Sequence, residues 1–569
     1  MAKKEKISGK LQYILLAVIA SLLIFQSVIQ FKLAQEDSQT IDEGAHIGAG
    51  YTYLTRGDFR FNPEHPPLLK FISALGVIAH TINVPFATTD WQRAGYFYFD
   101  ANIQSGKWGH DLIYRSGNNA DDILTWARTG PVLLTLLLGI LIAVVSVRMW
   151  GWMAGAMATA FYVFDPLIAG HGHLVTTDVI ASFGFLIALL SCWYFLKKPS
   201  WKSTLLFGVT LGIALLSKFT VLAVLPFIVA AFFIHLIKIK PSLKAGLLQF
   251  GQFCAVFIIA IGVIWVGYGF QDNTLPLTTG YDDYGIEYSK PYNGSLQYMY
   301  NNADVFSWIP LPYHYIKGAL LVLGHAGFGH YAFLLGEMSI TGWWYYFLVL
   351  IFTKTPLIVI GLLLTSIWIL IRAKKTKKYT PSLPHMLAAG AGWFLIVGMF
   401  SKANIGLRHI MPLYPAMFLV GGYAFSLLSM RFKKIWLGLM GVVAIQFMFA
   451  YPFYLSYFNE LAGGPYAGYK ISTDSNLDWA QDIKRIKTYL DTHDLEELPY
   501  VVYYWDGEDA LDYYGIQRRP TDQLITQPTG TVIIGASLLQ TPERKWIMNR
   551  KLVDQITPGV LVYDLDRPR

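Results

Sequence analysis

Charge is scarce in this chain, and cysteine is nearly absent. Asp, Glu, Lys and Arg make up 14% of the 569 residues, against about 25% in an average soluble protein. That deficit argues against a run of soluble domains of the number this length would otherwise allow. The two cysteines, Cys192 and Cys254, both lie within apolar runs, so no disulfide framework or thiolate metal site is readable. Internal repeats and low-complexity tracts are also missing, leaving no sign of a repeat array.

What is present is apolar sequence. Hydrophobic residues are 54% of the chain and the mean hydropathy is +0.40. They gather in runs long enough to cross a hydrocarbon core of about 30 Å, which takes roughly 20 residues. The formal charge of +8 would suit nucleic acid if it formed a patch. It falls instead in short clusters between apolar runs, which fits membrane topology and no nucleic-acid partner.

The runs predict about eleven spans. They lie at about 12–30, 131–148, 153–170, 179–196, 203–217, 220–237, 245–268, 343–371, 385–400, 410–430 and 435–451. The basic clusters are Lys3, Lys4, Lys6 and Lys10; Lys197, Lys198 and Lys202; Lys238, Lys240 and Lys244; Arg372, Lys374, Lys375, Lys377 and Lys378; and Arg431, Lys433 and Lys434. With that number of spans they all share one side, which the positive-inside rule makes cytoplasmic. The first run has no convincing cleavage site and is read as a retained span. The expected location is a cell membrane, multi-pass, with a cytoplasmic N-terminus.

This places about 31–130, 269–342 and 452–569 outside. The first two are rich in Trp, Tyr, Gly and Pro, which suits the headgroup layer. The third has the composition of a small soluble α/β domain, following a membrane part at 1–451. Strands are expected at Val501–Trp505, Thr531–Ala536 and Val560–Leu565, and a helix at about 477–492. Asp474-Ser475-Asn476-Leu477-Asp478 begins like a calcium loop, but Trp479 replaces the glycine and Arg485 the glutamate. It reads better as a helix start with acidic caps.

The chemistry-bearing residues cluster at outer span ends. Ile41-Asp42-Glu43-Gly44-Ala45-His46 closely follows the first span, and ionisable groups at such a boundary are functional candidates by default. Thr40 and Glu43 also match a helix capping box, and Asp42 suits a first helical turn. Asp42 and His46 share a helix face. Glu64, His65 and Lys70 flank the stiff Pro66-Pro67. His171-Gly172-His173 and Thr176-Thr177-Asp178 sit at the outer end of the third span. His-x-His is weak evidence of metal, and polar positioning is favoured for His173. The second outer loop carries Asp282, Asp283, Glu287, an aromatic tract through Tyr300, then His325, His330 and Glu337. Lys354 lies inside a span and must snorkel, pair or line a cavity. Lys402, Arg408 and His409 form a basic outer turn against the general bias, which an outer anion or a helix C-terminus would explain.

Together, Asp42-Glu43, His65-Pro66-Pro67 with Lys70, and Thr176-Thr177-Asp178 resemble the GT-C glycosyltransferases of the protein O-mannosyltransferase and aminoarabinose-transferase group. The resemblance spans about 12–450 and includes the N-inside layout. Tyr457-Phe458-Asn459-Glu460-Leu461 and the Asp474–Trp479 element look like a bacterial branch. The beta-trefoil repeats of the eukaryotic mannosyltransferases are missing.

The resemblance implies a polytopic α-helical GT-C fold with a small C-terminal extracytoplasmic α/β domain. It implies a polyprenyl-phosphate-linked sugar donor and inverting transfer to a hydroxyl-bearing acceptor. Asp42 would be the general base and Glu43 would orient the acceptor or hold the loop. Positive groups should hold the donor phosphate: Arg408 first, for its bidentate fork, then Lys70, His409 and Lys402. His46, His65, Asp178 and His173 would shape the site. No cofactor is required, and a divalent ion between Asp42 and Asp178 stays open. The alternative is a polytopic transporter or lipid-linked sugar flippase. Inverted repeats and mid-membrane charge would mark that class, whereas the charges here cluster at outer span ends.

Overall fold

The computed structural model describes residues 8–88, 90–91, 101–271, 308–373, 380–503, 508–526 and 528–569. Asp282, Asp283, Glu287 and the aromatic tract through Tyr300 lie outside them, as do Lys3, Lys4, Lys6, Lys374, Lys375, Lys377 and Lys378.

The membrane part is helical. In chain order its helices are α1 (Gly9–Glu36), α2 (Ile41–Arg56), α3 (Leu68–Ile78), α4 (Ala101–His110), α5 (Ala120–Trp150), α6 (Trp152–Val163), α7 (Pro166–His171), α8 (Thr177–Lys197), α9 (Trp201–Leu215), α10 (Val224–Ile239), α11 (Leu243–Gly267), α12 (Tyr313–Phe328), α13 (Tyr346–Lys354), α14 (Leu357–Arg372), α15 (Leu383–Met399), α16 (Leu413–Leu427) and α17 (Met430–Ala450). Every expected span falls on one or two of these. Among the described residues, six are long and apolar enough to cross a membrane, counting α10 from Phe219. α6, α9, α15 and α16 are apolar but shorter.

Two expected spans are broken. The one at 153–170 is α6 and α7, separated at Phe164-Asp165. The one at 343–371 is α13 and α14, which meet at 116° around Lys354-Thr355-Pro356. Proline removes a donor and clashes with the preceding turn. The groups released by this second break find partners in the protein, as backbone at membrane depth must. Asn459 Nδ2 donates to the Phe352 and Thr355 carbonyls, each at 2.7 Å. Lys354 neither snorkels nor lines the cavity described below. Its Nζ donates to the carbonyls of Leu455 at 3.0 Å, Tyr457 at 2.9 Å and Asn476 at 2.6 Å.

α2 is held against its neighbours by close backbone approach. A Cβ on Gly109 of α4 would collide with the Gly44 carbonyl, and one on Gly50 with the Lys70 carbonyl of α3. Small residues at such crossings let backbones meet. The first turn of α2 is thereby packed against α4, and its middle against α3.

Strands occur just before α13 and, in an α/β arrangement, beyond α17. β1 (Ala332–Leu334) and β2 (Glu337–Ser339) form a hairpin in the second expected loop, and Leu335 N–H donates to the Ile471 carbonyl at 2.9 Å. β3 (Tyr500–Val502), β4 (Thr531–Gly535), β5 (Arg550–Thr557) and β6 (Val560–Pro568) form one sheet in the order β3-β4-β6-β5, with β3 parallel to β4 and the other pairs antiparallel. The expected strands fall on β3, β4 and β6. β5 was not foreseen: it is an edge strand, exposed over most of its length, so its sequence lacks the buried alternation that marks a strand. The expected helix at 477–492 begins only at Ile483. Residues 474–482 instead form a loop that plugs into the membrane part, so Asp474 and Asp478 do not cap that helix.

Replacing Lys354 with Met should leave its carbonyls without their donor. At about 1–3 kcal/mol per unsatisfied buried group, the thermal midpoint of the detergent-solubilised protein should fall clearly. Lys402→Ala, at an exposed position, should leave it unchanged.

Candidate functional site

The helical turn at the start of α2 sends its two adjacent acids in different directions. Glu43 is fully buried. Its Oε1 accepts from Arg128 Nε at 2.8 Å and the Val175 N–H at 2.9 Å. Its Oε2 accepts from Arg128 Nη2 at 2.6 Å and the Thr40 N–H at 2.8 Å. Burial alone would push its pKa up, but Arg128 and these hydrogen bonds hold it below the usual carboxylate range. Arg128 also donates to the carbonyls of Ala34, Asp37 and Ser38. Glu43 therefore lies outside the cavity described next, and its expected catalytic role becomes one of locking α2 to α5.

Asp42 faces a cavity of about 680 Å³. Its side chain keeps 31% exposure, and its Oδ2 lies 3.3 Å from Arg408 Nη1. The same Nη1 lies 3.5 Å from Asp178 Oδ2, and Lys218 Nζ reaches Asp178 Oδ1 at 2.6 Å. Arg408 Nε donates to Ser475 Oγ at 2.9 Å, and the guanidinium stands 4.0 Å from the Trp479 ring centroid. Asp42 has its pKa raised: burial pushes it up, Asp474 and Asp178 add to that, and Arg408 and Lys218 pull the other way.

The remaining expected residues divide. His65 and His409 line the cavity with Glu64, His325 and His330. His46 sits behind His65, their ring centroids 5.0 Å apart. Burial pushes the imidazoles of His46, His65 and His409 well below their ordinary value, which favours their neutral forms. His173 Nε2 meets Asp37 Oδ2 at 2.9 Å, away from the cavity. Asp37 also pairs with Arg485 at 2.8 Å. Lys70 and Lys402 are corrections. Lys70 is fully buried, its Nζ donating to the Tyr53 hydroxyl at 3.1 Å and the carbonyls of Asn62 at 2.5 Å and His65 at 2.7 Å. It ties down the His65-Pro66-Pro67 loop and cannot meet a phosphate there. Lys402 is exposed and does not line the cavity.

The place between Asp42 and Asp178 left open for a divalent ion holds the Arg408 guanidinium. Among the described residues no group of three or more His, Cys, Asp or Glu is arranged to hold a metal.

Sequence reasoning missed Arg128, Lys218, Asp474, Ser475 and Trp479 as parts of this region. Lys218 had a signal: it sits alone between two apolar runs, on what the span count makes the outer side.

Residues 19–275 match the model of the family described as Dolichyl-phosphate-mannose-protein mannosyltransferase. The mannosyltransferase-like resemblance is borne out. The matched stretch contains Asp42, Glu43, His65, Lys70, Asp178 and Lys218, and ends before Arg408. Two crystal structures of ArnT from Cupriavidus metallidurans are also similar. The one bound to undecaprenyl phosphate is 14% identical, with a TM-score of 0.49, over 96% of this chain and 97% of that one. The apo one is 15% identical, with a TM-score of 0.48, over 98% of each. No curated protein matches the chain.

Arg128→Met should leave Glu43 as an uncompensated buried charge, at a cost of about 3–5 kcal/mol. Thermal unfolding in detergent should show it as a large drop. Asp42→Asn should leave the midpoint within a few degrees, because that carboxylate faces the cavity.

Proposed function

We propose that the protein is a membrane glycosyltransferase that moves a sugar from a polyprenyl-phosphate donor to a hydroxyl acceptor. The observation that carries this reading is one cavity holding a partly exposed carboxylate, Asp42, beside the buried cation Arg408, in a chain whose family match is to enzymes using a dolichyl-phosphate sugar. Asp42 is the general base, Arg408 and Lys218 hold the donor phosphate, and His409 lines the same wall.

The donor's isoprenoid tail stays in the bilayer, so its phosphate has to be met where the helices end. Arg408 offers a planar fork suited to phosphate, and Lys218 a point charge beside it. The acceptor hydroxyl attacks the anomeric carbon from the face opposite the phosphate. The bond from that carbon to the phosphate oxygen breaks, the bond to the acceptor oxygen forms, and the hydroxyl proton passes to Asp42. The configuration inverts because attack and departure occur on opposite faces. The lipid monophosphate departs with the electron pair, its charge met by Arg408 and Lys218. We place this site on the outer face of a cell membrane, with about eleven crossings and the N-terminus inside, on the strength of the lysine and arginine clusters.

The test is incubation of the full-length protein in liposomes with undecaprenyl-phosphate-linked hexoses and pentoses and a membrane extract, followed by mass analysis of what gains a sugar. Asp42→Asn should lower transfer by about 10²–10⁴-fold, the usual worth of a general base. Undecaprenyl phosphate binding should persist. Since an ionised base is needed and the Asp42 pKa is raised above its ordinary 3.8, wild-type transfer should fall on acidification at a pH above that value. Unchanged transfer by Asp42→Asn would remove Asp42 from the role.

A further inference from the structure

The cavity has two walls of different origin. The membrane part supplies Lys218, Arg408, His409 and His325 beside Asp42. The chain beyond α17 supplies Asp474, Trp479, Ser537, Thr541 and Glu543. Among the described residues, none that lines the cavity after position 472 is basic. The lining cations Lys218 and Arg408 thus come from the membrane part, with Asp42 and Glu64, while the chain beyond α17 adds two further carboxylates and no cation.

Asp474 opens a short helical turn, and its Oδ1 accepts the Ser475 N–H at 2.5 Å. Its φ is +60°, the left-handed region that side chains rarely adopt. Its N–H donates to Ser537 Oγ at 2.8 Å. That hydroxyl in turn donates to the buried Asp478, which also accepts the Ser537 N–H at 3.2 Å. The loop is pinned from the other side by Arg408 to Ser475, by Ser475 Oγ to the Ile405 carbonyl at 2.6 Å, and by the Leu407 N–H to Asn476 Oδ1 at 2.9 Å. Strained backbone held by its surroundings clusters at functional sites. Here the strain delivers a carboxylate into the cavity, within the electrostatic field of Asp42 and Arg408.

We propose that this second wall binds the acceptor, that Asp474 positions it for Asp42, and that the acceptor is an uncharged, hydroxyl-rich group such as a neutral glycan. An ionised carboxylate only accepts hydrogen bonds, so Asp474 and Glu543 call for hydroxyl donors and repel an anionic acceptor. The donor phosphate is drawn to Arg408 and Lys218, which leaves Asp474 and Glu543 for the partner. This rests on the transferase reading above and assigns the acceptor side of the same cavity.

The experiment uses the full-length protein in liposomes, with undecaprenyl phosphate as the binding probe, undecaprenyl-phosphate-linked sugars carrying a radiolabel in the sugar as donors, and a membrane extract as acceptor source. Asp474→Asn keeps an oxygen that can accept the Ser475 N–H, and asparagine tolerates a positive φ, so the loop should survive. Glu543→Gln is a second variant, at an exposed position on the cavity rim. The expected result is undecaprenyl phosphate binding within about two-fold of wild type for both variants. Half-maximal transfer should need roughly ten-fold more extract for Asp474→Asn and a few-fold more for Glu543→Gln, with the label in an uncharged glycan. Unchanged dependence on extract in both variants would overturn the proposal. So would a ten-fold change in lipid phosphate binding, which would put Asp474 on the donor side, or label recovered in a phosphorylated or protein product. A wild type that binds the lipid but transfers to nothing would overturn the transferase reading and this assignment with it. That outcome is distinct from a wild type that transfers while the variants match it.

Discussion

Compensation of charge at the first turn of α2 is the constraint on which the site depends. Two consecutive carboxylates are placed where water is scarce, and an isolated buried carboxylate would take up a proton instead of staying ionised. Adjacent helical residues point about 100° apart. Each acid therefore needs its own cation, from its own direction. Glu43 receives Arg128, closed on both oxygens and shut away from the cavity. Asp42 receives Arg408 at 3.3 Å, from one side only, and remains open on the other. One ion pair is saturated and the other is not. The saturated pair builds; the unsaturated one leaves a carboxylate facing the cavity.

That division makes the chain beyond α17 part of the site. Arg408 arrives on a short turn between α15 and α16 and is steadied by Ser475 and Trp479. Those two residues hold their place because Asn476 is tied to Tyr346 and Leu407, and because Lys354 in the broken span holds the Asn476 carbonyl. The break between α13 and α14, which is costly in a membrane helix, supplies the lysine that anchors the loop. Residues 472–479 are as much a wall of the cavity as α2 is.

Much of this was legible in sequence, for identifiable reasons. The apolar runs give the helices because hydrocarbon-spanning length is a strong constraint. The acids, histidines and Arg408 stood out because charge is rare in such a chain. Positional reading failed where a charged side chain turns inward to satisfy backbone. Lys70 and Lys354 look like functional cations in sequence, yet both spend their donors on carbonyls. Nothing local distinguishes a lysine that meets carbonyls from one that meets phosphate. The partner carbonyls of Lys354 lie about a hundred residues away in the chain. The split between Asp42 and Glu43 was half legible, since the capping box already offered Glu43 a structural task. Its other partner, Arg128, stood at the edge of an expected span and carried no local mark.

If Arg408 holds the donor phosphate and Asp42 is the base, as proposed, the open ion pair also links donor and base. Arg408 is shared between Asp42 and Asp178, so a phosphate bound at Arg408 competes with both carboxylates for one guanidinium. Its arrival draws the cation away from Asp42 and adds negative charge nearby. Both changes favour the protonated form of Asp42, so the carboxylate becomes a stronger base as the donor is loaded. At the few-ångström separations here, and in a cavity walled by protein, such interactions are worth several-fold more than in water. On the proposed reading, donor binding would further strengthen a base whose pKa is already raised in the empty site, because one arginine stands between two acids.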